Sequence, residues 1–569
     1  MRKLWLAFAA CCLVGLFASR AEATANFVYH EQTANFVATP TCPSGGTDTS
    51  CGRYVENTDR SGAAGFQIFA PETYTLRSKI EFQFFTNRVR VYYTTDGSNP
   101  SGSFGTPFGT TQVAVAGYTC TYSDQTQGCQ IVDVVTGAIP PQPAGTTVKY
   151  IVGAWHSGGG PEVFANSGTC SGCFSCTDST TGCATVFQYN TLAPPPTPLI
   201  ISELRLRGPA GALDEFVEIY NNSNSDITVN AFDGSAGFSL AASDGAARFT
   251  IPNGTVIPAR GHYLGVNSAG YSLASYPAGN GTTATGDATF TTDIPDNAGV
   301  ALFSTSNSAN FTPANRLDAA GSSSEANALY REGTGYPPLL TTFNTNYSFY
   351  RDMASGSPLD TGDNDNDFLF VDTNGVCALS VPGGCISLDG TRRGRHLGAP
   401  GPENVSSPIV RTALVPPTLI APCVAAGSSP NRVRDLTNDP SEPNDEFGTL
   451  DIRRKFTNHT GANVTRLRFR IVDITTFPVP AGTADLRALS SADVVVSNPC
   501  TGSAQTVRGT TLEEPPGQGN GGGYNSTLSA GVITLATPLA PGAGVDVRFR
   551  LGVQQTGNFR FFIVVEVLP

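Results

Sequence analysis

Four aspartates in one short stretch, Asp360, Asp363, Asp365 and Asp367, set oxygen ligands in the kind of loop that a hard cation such as calcium requires. The pattern departs from an EF-hand loop, which needs Gly after the third acid and Glu at its twelfth position; here those places hold Phe368 and Asn374. The other reading is a turn whose carboxylates accept from their own backbone ahead of a strand over residues 367–371. The turn is the preferred reading, and structural calcium is the one cofactor the sequence suggests. Glu203 and Glu218 form a second acidic pair. Paired carboxylates can divide acid and base work, but acids at strand ends also bind backbone amides, which is the simpler role. Cys170, Cys173, Cys176 and Cys183 follow a C-x2-C-x2-C pattern with a fourth Cys seven residues on, able to chelate zinc or an iron–sulfur cluster or to close two disulfides. His30, His156, His262, His396 and His459 stand in no catalytic or metal-ligand spacing, and H-E-x-x-H, G-x-S-x-G and phosphate-loop motifs are missing. No catalytic residue is assigned, so an enzyme built on this sequence would be a carboxylate-only hydrolase of the glycosidase type.

The compartment decides the cysteine question. Met1-Arg2-Lys3 precedes an apolar run over residues 4–18 and a polar stretch ending Ala21-Glu22-Ala23, the grammar of a signal peptide cut near Ala23. The run is shorter than the roughly 20 residues that span a bilayer, and no transmembrane segment is expected in the mature chain. Phe8-Ala9-Ala10-Cys11 resembles a lipobox, against which stands the apolar stretch continuing to Ala18. In an exported chain the cysteines read as disulfides: Cys42 with Cys51, Cys120 with Cys129, Cys377 with Cys385, the distant Cys423 with Cys500, and two bridges among Cys170, Cys173, Cys176 and Cys183. Removing residues 1–23 takes Arg2, Lys3 and Arg20 away with Glu22, so the formal charge falls from −12 to −14. Such a chain, with three Lys left, is a poor ligand for nucleic acid or anionic lipid.

The elements that carry these residues are strands. Only 14% of side chains are charged, and 62 Gly and 40 Pro punctuate short apolar runs, as in all-β proteins. Proline-rich stretches at residues 194–198, 399–408 and 416–422 read as stiff linkers. They predict three tandem β-sandwich, immunoglobulin-like domains after the signal peptide (1–23): 24–193, 199–405 and 411–569. In the first, alternation at residues 80–85, 89–93 and 145–152 gives strands, and Trp155 ends the last, closing one end of the core or offering a ring to sugar. In the third, a strand at residues 448–456, a turn at Asn458-His459-Thr460-Gly461-Ala462 and a strand at 464–472 predict a hairpin with one charged, solvated face bearing Arg466, Arg468 and Arg470. Residues 545–551 and 559–567 complete this domain, the latter as a central strand. An outer-membrane β-signal is the other reading of the C-terminus, but too few ten-residue alternating strands precede it to close a barrel.

The middle piece opens with Leu199-Ile200-Ile201-Ser202-Glu203-Leu204 and Asp214-Glu215-Phe216-Val217-Glu218-Ile219-Tyr220-Asn221-Asn222. It continues through Phe238-Ser239-Leu240, Phe249-Thr250-Ile251-Pro252-Asn253-Gly254, Gly261-His262-Tyr263-Leu264-Gly265-Val266, Asp296-Asn297-Ala298-Gly299-Val300-Ala301-Leu302-Phe303 and Arg316-Leu317-Asp318-Ala319-Ala320-Gly321. It ends on Ser348-Phe349-Tyr350-Arg351, the Asp360–Asp367 loop and Gly398-Ala399-Pro400-Gly401-Pro402-Glu403-Asn404. In this order the segments resemble the lamin-tail domain in its secreted bacterial form. The resemblance implies an immunoglobulin-like sandwich used for interaction or tethering, without catalysis. The first piece resembles, over two strands, the immunoglobulin- or fibronectin-like modules appended to secreted carbohydrate-active enzymes. The expected function is therefore that of a secreted or cell-surface, non-catalytic binding or structural protein whose partner is a protein, a carbohydrate or a cell-envelope component. The alternative is a secreted hydrolase using carboxylates or an accessory carbohydrate-binding protein.

Overall fold

The alternation of apolar and polar residues resolves into strands throughout the computed structural model, which describes residues 28–30, 35–37, 53–55, 68–69, 73–81, 87–124, 130–157, 161–165, 184–192, 198–339, 343–375, 395–440, 442–479 and 481–569. Apart from short helical turns such as Asn364–Asp367, the described elements are strands, and the fold is all-β. They form two compact units, residues 1–195 with Phe232–Gly234, and Pro196–Ala231 with Ser235–Pro569.

In the first unit most strands join one sheet centred on the antiparallel neighbours Gln112–Asp124, Asn87–Thr94 and Thr147–His156, with Ile68–Phe69 added in parallel at its edge. Alternate residues of two of these strands, Val89, Val91 and Tyr93 with Val148, Tyr150 and Val152, share one buried cluster with Tyr74 and Leu76.

The second unit begins with a sandwich over the expected lamin-tail-like piece. Its seven-stranded sheet runs in the order Ala288–Phe290, His262–Asn267, Phe216–Asn221, Leu199–Arg205, Tyr347–Arg351, Phe368–Asp372, Arg395–Leu397. Its four-stranded sheet runs Ala247–Pro252, Gly237–Ala242, Val300–Phe303, Arg316–Ala320, the last two pairing antiparallel. Val217, Ile219, Leu240, Ile251, Leu302, Phe349 and Phe370 fill the space between the sheets. Gly265 is required there: a Cβ on it would lie 2.1 Å from the Phe249 ring.

The C-terminal sandwich follows, with sheets Ile409–Val410, Phe561–Leu568, Arg466–Ile474, Thr527–Ser529, Thr511–Leu512 and Pro417–Leu419, Thr449–Thr457, Gly544–Gln555, Asp485–Leu489. Phe561–Leu568 is an inner strand, as its apolar run predicts. The expected hairpin is corrected: Thr449–Thr457 pairs with Gly544–Gln555 in one sheet and Arg466–Ile474 pairs with Phe561–Leu568 in the other. The chain arches between sheets because the turn is tied across the sandwich. Buried Asn458 donates to the carbonyls of Ala462 and Leu539, each at 2.8 Å, and Phe456 and Phe469 meet between the sheets at 4.7 Å.

The two sandwiches share an apolar core. Strand alternation sends Phe368 and Phe370 into the middle sandwich, and sends Leu369 and Val371, with Tyr350 and Met353, into the C-terminal cluster. Each such side chain contributes about 1.5–3 kcal/mol on burial. Residues 399–404, expected to lie in a linker, are buried. Gly398 pairs with Tyr524, whose carbonyl a Cβ would meet at 2.1 Å, and the amide of Ala399 donates to that carbonyl at 3.1 Å.

Candidate functional site

The densest group of titratable side chains is a charged layer inside the second unit. Phe216–Asn221 turns Val217 and Ile219 to its own core, which leaves Glu218 and Tyr220 on the outer face; His262 and Glu203 stand on the same face of neighbouring strands. Across from them, Arg466–Ile474 sends Leu467, Phe469 and Ile471 inward and presents Arg468 and Arg470. Glu403 and Glu566 complete the layer.

Every member is closed on another protein group. Glu218 accepts from Ser202 Oγ at 2.5 Å and from the Glu403 amide at 2.7 Å, and Glu203 accepts from the Gly401 amide at 3.1 Å. The two acids therefore hold backbone amides, the role preferred from sequence. His262 Nδ1 hydrogen-bonds Glu218 Oε1 at 3.0 Å, and Nε2 lies 3.0 Å from Glu403 Oε2 without hydrogen-bond geometry. Arg470 pairs with Glu403 at 2.7 Å and with Glu566 at 2.7 Å. Arg468 pairs with Glu403 and, at 2.6 Å, with Glu566. Arg466 pairs with Glu513 at 2.6 Å. The solvated face expected for these arginines is thus corrected: Arg468 and Arg470 are 0% and 2% exposed, because a sheet of opposite charge covers them.

Burial pulls the two ends of the layer apart. It raises Glu203 to about 7, helped by the charge of Glu218. Glu566 is equally buried, yet the guanidiniums of Arg468 and Arg470 hold it at about 2. Glu218, His262 and Glu403 lie close enough to hold a metal ion. Two guanidiniums already occupy Glu403, however, and the space they enclose is ≈ 10 Å³, at most one water.

The four aspartates, read first as a turn and second as calcium ligands, have different partners. Asp363 caps the turn Asn364–Asp367 and accepts from the amides of Asp365 and Thr334 at 3.3 and 2.9 Å. Asp367 is buried and accepts from Thr361 Oγ1 at 2.8 Å and from Arg351 at 3.2 Å. Asp360 lies 3.5 Å from Arg351 and groups with Asp318 and Glu332. Asp365 is half-buried in the turn. Among the described residues the four do not form one metal-binding group, and Arg351, bidentate on Asp318 at 2.8 and 2.7 Å, supplies the positive charge.

Cys423 and Cys500 form the expected disulfide. Cys42, Cys51, Cys129, Cys170, Cys173, Cys176, Cys183, Cys377 and Cys385 lie outside the described residues, and Cys120 is described only as a position in Gln112–Asp124. Trp155 is half-buried, with the Arg90 guanidinium 5.6 Å from its centroid and Phe104 edge-on at 5.7 Å.

Sequence reasoning weighed Glu203 and Glu218 but missed His262, Glu403, Arg468 and Arg470 as their partners. The available signal was the alternation of Arg466, Arg468 and Arg470 opposite a core face, together with single acids, Glu203 and Glu218, opposite the core faces of two paired strands.

No family model and no curated protein matches the chain. Among solved structures it is similar to an uncharacterized protein from Listeria monocytogenes EGD-e in complex with α-D-glucose, β-D-glucose, magnesium and calcium, at 8% identity and a TM-score of 0.17. The match covers 93% of this chain and 32% of that one, about a third of its length. A likeness this slight extends to neither fold nor ligand.

Proposed function

We propose that the chain is an exported, non-catalytic binding or structural protein, in which a lamin-tail-like sandwich fused to its C-terminal neighbour forms a stiff tethering element. The observation that carries this reading is the saturation of the charged layer. Its carboxylates, imidazole and guanidiniums are spent on one another and on backbone amides around a space of ≈ 10 Å³. Groups so placed hold two sandwiches in register and leave no room for a substrate. The signal-like N-terminus supports export, as does the Cys423–Cys500 disulfide, a bond that persists in oxidising compartments. Among the described residues no helix is long and apolar enough to cross a membrane. The partner classes remain protein, carbohydrate and cell envelope.

The test incubates the purified chain with a glycan array and with the envelope fraction of the producing cells, and assays polysaccharide substrates in parallel. Retention without release of reducing ends is the expected result. Turnover that Glu203→Gln or Glu218→Gln abolishes would replace this reading with the hydrolase alternative.

A further inference from the structure

Two arginines of the C-terminal sandwich, half-buried Arg454 and exposed Arg432, border one apolar cavity. In Thr449–Thr457 alternate residues Leu450, Ile452 and Phe456 join or pack against the core cluster, and Arg454 shares their face. Arg432 in Arg432–Asp435 is registered opposite Ile452, which makes it the diagonal neighbour of Arg454 on that face. Beside both guanidiniums opens a cavity of ≈ 380 Å³ walled by Phe549, Phe559, Phe561 and Ile452. Phe549 and Phe561 meet at 5.8 Å, and the Arg432 guanidinium lies 5.9 Å from the Phe559 centroid.

Among the described residues no acid forms an ion pair with Arg432 or Arg454, and Arg454 donates only to the carbonyls of Arg453 at 2.8 Å and Asn431 at 3.3 Å. Acids are not scarce, since the chain carries 46 Asp and Glu against 34 Lys and Arg. Elsewhere in the same sandwich Arg453, Arg468, Arg470, Arg487 and Arg548 all have acidic partners. Burial, and then the charge of Arg432, press the Arg454 guanidinium below its ordinary value. A half-buried guanidinium beside an exposed one, neither paired with a carboxylate among the described residues, makes an anion site, and the aromatic wall beside them sets the rest of the ligand.

We propose that this cavity binds a small apolar carboxylate, its hydrocarbon or aryl body against Phe549, Phe559 and Phe561 and its carboxylate between Arg432 and Arg454. The volume suits a small ligand, and guanidinium forks match the planar carboxylate.

The full chain is titrated calorimetrically with decanoate and with 2-naphthoate, and in parallel with decanol and 2-naphthol. Saturable one-to-one binding of the carboxylates is expected, with the alcohols weaker by about tenfold or more. Arg454→Gln and Arg432→Gln should each weaken decanoate by about tenfold, and Arg454→Gln should hold or raise the melting temperature because it removes an unpaired cation. The proposal is overturned if the alcohols bind as well as the acids, if the Gln variants keep full affinity, or if no carboxylate binds at millimolar concentration. A fall in melting temperature with Arg454→Gln would also overturn it, by making that arginine a part of the scaffold.

Discussion

Replacing Arg470 with Met is the sharpest test of the charged layer, because it removes one cation from two buried carboxylates while keeping most of the side-chain bulk. Arg470 is 2% exposed and reaches Glu403 and Glu566, each at 2.7 Å. Without it Glu566 keeps Arg468, and Glu403 keeps Arg468 and His262, so neither is stranded outright. Breaking a buried ion pair by removing one partner costs about 3–5 kcal/mol. The shared partners place Arg470→Met near the middle of that range, about 4 kcal/mol. Part of the loss is recovered when the opposite charge is withdrawn as well. Arg470→Met combined with Glu566→Gln withdraws one charge of each sign, so the double variant should be more stable than the sum of the two single losses by about 2 kcal/mol. Urea unfolding at pH 7, followed by the transition of the second unit, measures both quantities. That transition should stay single, because Tyr350, Leu369 and Val371 of the middle sandwich lie in the C-terminal core. A loss below about 1 kcal/mol, an additive cycle, or separate unfolding of the two sandwiches would refute the argument.

Stability should fall as pH rises from about 5 to 8. Burial lifts Glu203 to about 7, Glu215 to about 8 and Glu332 to about 8, above the unfolded carboxyl value, so the folded chain binds more protons across that window. Glu566, at about 2, adds a contribution lost only on strong acidification. Calorimetry at pH 5, 6, 7 and 8 should show a falling melting temperature, and a rise would contradict the assignment. Limited proteolysis should release a fragment running from near Pro198 to the C-terminus, and cleavage within residues 399–404 would contradict the burial of that stretch. Reducing Cys423–Cys500, separated by 77 residues, should cost the second unit about 4 kcal/mol in the same urea assay. Millimolar calcium should leave the melting temperature unchanged, since Arg351 already serves Asp318, Asp360 and Asp367. A clear rise, with bound metal found by elemental analysis, would restore the calcium site.

What the sequence alone determined is local and periodic. Alternation separates Val217 and Ile219 from Glu218 and Tyr220, and marks Phe561–Leu568 as an inner strand. The turn residues around Asp363 anticipate a capped turn, and the pairing of Val300–Phe303 with Arg316–Ala320 follows the order that the resemblance implies. Glu203 and Glu218 were legible as acids that hold amides. Tertiary structure alone decided what covers each face. A strand's period of two says which side chains share a side, but it gives no information about the surface opposite. The basic face of Arg466–Ile474 therefore reads as solvated, until docking buries it against the face that carries Glu203 and Glu218. The same limit hid the arch at Asn458, since adjacent strands joined by a turn suit a hairpin or a crossing between sheets equally well in sequence. Only the bonds from Asn458 to Leu539 and the contact of Phe456 with Phe469 select the crossing. Glycine and proline at residues 398–402 mark a linker by composition. The absence of a side chain at Gly398 instead admits the Tyr524 backbone, and close approach of two backbones joins the sandwiches where a linker would have parted them.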